Sequence, residues 1–132
     1  MTINKKELIT YWVNSSENDF KAMMHLLEKG DYSWSLFIGH LVLEKLIKAW
    51  YIKNISELPP LIHDLVRLSE NGRLLLDDEQ KDSLDTISAF NLKARYDDYK
   101  MEFHKKCSKE FTTKWIDIIK EFRKWIKEKL LK

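Results

Sequence analysis

DYSWSLFIGHLVLEKLIKAWYIKN, residues 31 to 54, is apolar around most of a helical circumference through Trp34, Phe37, Leu41, Leu46, Trp50 and Tyr51. A helix that is oily nearly all round is a buried one, packed on by several neighbours. One narrow line breaks the pattern. His40, Glu44 and Lys48 stand at i, i+4 and i+8, stacked on a single face. The rest of the chain is expected to fold around this helix, with function near the polar line or on a loop that approaches it.

Working outward, Asn4 with Glu7 three residues later forms a capping box for a preceding helix. Ile9, Trp12, Val13, Phe20, Met23, Met24 and Leu27 recur at helical spacing until Gly30 ends the run. The short Gly30-Asp31 connection predicts an antiparallel helical hairpin. Asn14, Ser15 and Ser16 are weak helix formers and leave room for a local distortion.

Beyond Asn54, the adjacent Pro59 and Pro60 predict a loop over Ile55–Pro60, since a residue before proline is pushed out of the helical region. Pro60 suits a first turn, so Leu61–Glu70 reads as a short third helix closed by Asn71-Gly72. Asp77 with Gln80 caps a fourth helix that carries Leu84, Ile87 and Phe90 inward. Asn91–Met101 shows little periodicity and reads as a long loop. From about Ser108, the residues Phe111, Trp115, Ile118, Ile119, Phe122, Trp125, Ile126 and Leu130 follow the helical period, with charged residues between them. The expected class is all-α: an up-and-down bundle of about five helices, forming one domain over residues 1–132.

Composition agrees with that class. Three Gly and two Pro in 132 residues give few forced helix stops. A charged fraction of 33% with net charge of only +2 describes a solvated helical surface and predicts neither DNA nor membrane binding. The single cysteine, Cys107, excludes an internal disulfide. His40 and Glu44 cut the longest apolar run too soon for a membrane span, and the N-terminal residues lack a signal-peptide pattern. A cytoplasmic location follows as an expectation.

The candidate chemistry is sparse. His25 has no neighbour able to share a metal. His40 with Glu44 has the spacing of helical metal ligands, but two ligands do not make a site, and a hydrogen-bonded or ionic pair inside the bundle is the simpler reading. His63-Asp64 opens the third helix, where a capping role competes with a functional one. His104 and Cys107 stand three apart with no second pair to complete four zinc ligands. No metal or cofactor is expected. Serine and cysteine nucleophiles lack partners, and no Gly-rich phosphate loop is present. Trp115, Phe122 and Trp125 resemble base-stacking groups, yet they lie on the apolar stripe and read as core. The distinctive segment is Arg95, Tyr96, Tyr99, Lys100 and His104. A guanidinium forks onto phosphate and an imidazole moves protons near neutral pH. Together they suit a nucleotide phosphate, or RNA cleavage through the 2′-hydroxyl.

The order of short motifs resembles a known family. Trp12, Asp19-Phe20, Leu26-Leu27 and Gly30-Asp31-Tyr32 precede Phe37, His40, Glu44-Lys45 and Lys48-Ala49. His63-Asp64-Leu65 and Phe90-Asn91 through Ala94-Arg95-Tyr96 follow. This pattern, from about Trp12 to Trp125, is similar to the HEPN domain, the higher eukaryotes and prokaryotes nucleotide-binding domain. The resemblance implies a bundle of about five helices, a homodimer, and a neighbouring minimal nucleotidyltransferase. It also implies a toxin–antitoxin or defence setting in which many members cleave RNA. Their signature is an Arg, usually with a polar residue after it, and then a His beyond four to six intervening positions. Here Arg95 and His104 are separated by eight residues and Tyr96 replaces the polar residue. The resemblance therefore implies a non-catalytic nucleotide- or RNA-phosphate-binding partner, with Arg95 and Tyr96 on the ligand and His40, Glu44, Lys48 and His63 in support. The alternatives are a metal-independent ribonuclease using Arg95 and His104, and a purely structural dimerisation module.

Overall fold

The computed structural model describes residues 4–132, so residues 1–3 of the expected domain lie outside the described residues. It is an all-α bundle with no strand among the described residues. Six helices follow in order: α1 (Lys5–Lys29), α2 (Tyr32–Asn54), α3 (Leu65–Asn71), α4 (Asp78–Arg95), α5 (Glu102–Lys106) and α6 (Lys109–Leu130). Each of the other five packs on α2.

The first hairpin forms as its caps dictate. The Asn4 side chain accepts the Glu7 amide at 2.8 Å and donates to the Glu7 carboxylate at 3.1 Å. Gly30 adopts φ 83°, a left-handed turn that lets its own amide and that of Asp31 reach back to the last carbonyls of α1. In α2, Leu36, Val42, Leu43, Leu46, Ile47, Ala49 and Ile52 are wholly buried. A Cβ on Gly39 would lie 2.6 Å from Ile119 Cδ1 and 3.2 Å from Met23 Sδ, so α1 and α6 close in at that point. Trp34, expected among the apolar contacts of α2, faces outward instead.

Asn14–Ser16 do not interrupt α1, and the Ser15 and Ser16 hydroxyls bond across to α2. Ser16 Oγ donates to the Val42 carbonyl at 2.8 Å, and Ser15 Oγ accepts from Lys45 Nζ at the same distance. Glu17 ties α1 to α6 through Arg123 and Lys127. The Lys127 hydrogen bond, with Arg123 assisting, holds its carboxyl below the usual range in spite of partial burial.

Three boundaries differ from expectation. The third helix begins at Leu65, not Leu61, and Pro60 takes no part in it. Asp64 supplies the cap by accepting the Arg67 amide at 3.1 Å, while Leu65 and Leu68 are buried and Leu61 stands in solvent. The fourth helix does not stop at Phe90 but continues through Arg95. Leu84, Ile87, Asn91 and Ala94 hold one inward stripe, and the strong helix formers Leu92, Lys93, Ala94 and Arg95 carry the helix past the weak former Asn91. A sixth helix, α5, follows the expected Asn91–Met101 loop and fills the stretch before Ser108, to which no separate helix was assigned. The Asp97 carboxylate organises it by accepting the amides of Asp98, Phe103 and His104 at 2.9, 3.1 and 2.9 Å. Phe103 then packs 5.7 Å from Phe90, ring centre to ring centre.

The last helix is capped by Ser108 and buries Ile116, Ile119, Phe122 and Ile126. Among the described residues, no helix is long and apolar enough to cross a membrane.

Candidate functional site

The polar line of α2 lies inside the bundle. His40, Glu44 and Lys48 are all buried, and His63, just before α3, is a partner of the first two. His40 Nε2 lies 2.8 Å from the His63 carbonyl oxygen. A carbonyl only accepts, so His40 carries its proton on Nε2 and turns an unprotonated Nδ1 into the protein. That Nδ1 is buried and has no hydrogen-bond partner. Burial depresses the His40 pKa below the ordinary histidine value, against the opposing pull of the His63 carbonyl and the Glu44 carboxylate.

The expected pair of His40 with Glu44 is not bonded directly. Their closest atoms stand 3.8 Å apart. Glu44 is instead held by His63 Nδ1 at 2.7 Å on one oxygen and by Lys48 Nζ at 3.2 Å on the other. The Lys48 ammonium also lies 5.1 Å from the centre of the Trp12 ring. His63 is therefore the outer member of the set. Its backbone satisfies one buried side chain and its ring another, while the ring itself remains largely in solvent.

The extension of α4 determines where Arg95 sits. Asp85, Ser88, Asn91, Leu92 and Arg95 fall on one helical face and, with His63, Asp64 and Ala89, line an open groove of about 500 Å³. Arg95 Nε donates to the Asn91 carbonyl at 3.0 Å. Its guanidinium carbon lies 5.5 Å from the Phe37 ring centre and 5.2 Å from that of Tyr96. Both terminal nitrogens are without hydrogen-bond partners among the described residues. The structure thus brings Arg95, Tyr96 and His63 to one region and places His40 and Glu44 directly beneath it. Lys48 is one turn farther along α2, against Trp12.

His104 belongs to a different neighbourhood. Its Nδ1 is 2.6 Å from Ser33 Oγ, its Nε2 is 3.9 Å from an Asp97 oxygen, and its ring lies beside Trp34. It does not line the Arg95 groove. Cys107 is buried, and among the described residues no three His, Cys, Asp or Glu side chains are grouped to hold a metal ion. His25 is exposed on α1, and Tyr99 extends into solvent.

Sequence reasoning missed Asp85, Ser88 and Asn91 as groove residues. Their spacing to Arg95 (ten, seven and four residues) is helical and was the available signal, hidden by reading Asn91 onward as a loop.

A family model described as the HEPN domain matches residues 9–130, nearly the whole chain. No curated protein and no solved structure matches it. The chain belongs to the HEPN domain family, and its function is related to nucleotides or RNA at the level of that family.

Proposed function

We propose that this HEPN-family chain is a non-catalytic binding protein for a nucleotide or an RNA phosphate, acting beside a minimal nucleotidyltransferase in a toxin–antitoxin-like or defence system. One observation carries the binding part. Arg95 presents a fork of unpaired donors in a groove that His63 also lines, and its guanidinium lies near the Phe37 and Tyr96 rings. A guanidinium with free donors suits the oxygens of a phosphate. The non-catalytic part is supported by the position of His104, which hydrogen-bonds Ser33 and stands outside that groove.

In this reading Tyr96 flanks the ligand. His40, Glu44 and Lys48 act through His63, whose position they fix from within the bundle. Titration of the purified chain with ATP, GTP and short RNAs tests it. At least one of these binds below about 1 mM, and Arg95→Ala removes the binding. If none binds and the substitution changes nothing, the proposal fails.

The chain is further proposed to work as a homodimer in the cytoplasm. Leu92 and Tyr96, both exposed beside the groove, give a partner apolar surface to cover. Light scattering at micromolar concentration tests self-association. Co-purification with the product of an adjacent nucleotidyltransferase gene tests the pairing.

A further inference from the structure

We infer that the groove between α4 and the segment before α3 selects a nucleotide unit bearing one phosphate group over a nucleoside triphosphate. The inference rests on the binding reading above and adds the class of ligand.

The groove is divided by charge along α4. At the Arg95 end the free groups are donors. Arg95 offers its terminal nitrogens, and Asn91 offers a side-chain amide. Asn91 lines the groove, and its side-chain amide makes no hydrogen bond among the described residues. Ser88 Oγ accepts the Leu65 amide at 2.9 Å and keeps its own proton to donate.

Nearly three turns back along α4 the free group is an acceptor. Asp85 is exposed and makes neither an ion pair nor a hydrogen bond among the described residues. Asp64 uses one oxygen for the Arg67 amide and keeps the other. Two carboxylates therefore share the groove with a single arginine. His63 has its Nδ1 committed to Glu44.

Such a site accommodates one phosphate group on Arg95 and Asn91, with ribose hydroxyls donating to Asp85 or Asp64. A triphosphate carries several negative charges, and those beyond the first meet no second cation and two carboxylates. Repulsion against an unwanted ligand is as much a source of selectivity as attraction to the right one.

Equilibrium binding to the full chain in magnesium-free buffer, with AMP, ATP and the ribodinucleotide ApA, tests this. AMP or ApA is expected to bind about fivefold or more tightly than ATP, the scale of one unit-charge interaction near a solvated surface. Asp85→Asn, at an exposed position without partners, is expected to strengthen ATP binding and narrow that ratio. The tighter of AMP and ApA identifies the source as a free monophosphate or an RNA backbone. The inference is overturned if ATP binds as tightly as the better of the two, or if Asp85→Asn leaves the ratio unchanged. Neither result would touch the binding reading. Absence of binding by all three, with Arg95→Ala indistinguishable from the parent, removes both.

Discussion

His63 Nδ1 lies 2.7 Å from Glu44 Oε1, joining a ring whose side chain is 63% exposed to a carboxylate that is 5% exposed. The same carboxylate holds the Lys48 ammonium, itself nearly buried, at 3.2 Å. Glu44 thus compensates a cation inside the bundle while also setting the position of a groove residue.

That double attachment makes Glu44 costly to remove. Glu44→Ala strands the Lys48 ammonium in a poorly hydrated place and should destabilise the fold by about 3 kcal/mol. Lys48→Met in the same chain removes the stranded charge and should recover a substantial part of the loss. Urea midpoints of the two single variants and the double variant give the coupling. Additive losses would show that the pair is not coupled.

His40 gives the fold an acid sensitivity with a definite sign. Its folded-state pKa lies below the ordinary value of 6.5, so the unfolded chain takes up the proton first as pH falls. Stability is therefore unaffected by this group above about pH 6.5 and decreases as pH drops through and below that value. Asp97 and Glu17 are depressed carboxyls, and the stability they contribute is lost only in more acidic solution. Denaturation midpoints at about pH 7.5 and 5.5 bracket the histidine range, and the difference between parent and variant gives the His40 share. His40→Gln can retain a donor for the His63 carbonyl and should flatten the decline over this range.

Cys107 should be inert in the native protein. Burial pushes its thiol up to about 11, and the nearby Asp97 carboxylate adds to the shift. At pH 8 only about one thiol in a thousand would be ionised. A disulfide reagent such as DTNB is expected to label the denatured chain readily and the native chain far more slowly. Equal rates would contradict the buried environment.

Arg95 should be important for ligand and nearly irrelevant to folding. It is exposed, and its one hydrogen bond returns to the preceding turn of its own helix. Arg95→Lys keeps the charge but loses the fork beside Phe37 and Tyr96. Affinity for a nucleotide or RNA phosphate should fall about tenfold while stability stays within about 0.5 kcal/mol of the parent. Calorimetric titration with thermal melts of the same samples separates the two effects.

Several features of this bundle were legible as local sequence. The caps at Asn4, Asp77 and Ser108 lie at the expected helix starts, and Gly30 forms the expected hairpin turn. The periodicity of α6 marks its buried stripe, with Ile116 joining the residues expected there. These signals depend on groups within a few residues of each other, so no tertiary information is needed to read them. The order of short motifs likewise led to the family.

Where long-range packing competes with local preference, the chain alone was a poorer guide. Asn91 is a weak helix former, yet α4 runs through it to Arg95, with Asn91 and Ala94 buried. Pro60 suits a helix start, yet Asp64 provides the better cap once Leu65 and Leu68 have a core to enter.

The sequence by itself determined an all-helical chain organised on Asp31–Asn54, the stacked line of His40, Glu44 and Lys48, and the family. Tertiary structure alone decided what meets that line. His63 is nineteen residues from Glu44 and twenty-three from His40, yet it serves both. Arg95 reaches the same region only because α4 is long enough to bring it there. Helical periodicity fixes which residues share a face, whereas the approach of two faces depends on how the whole core packs.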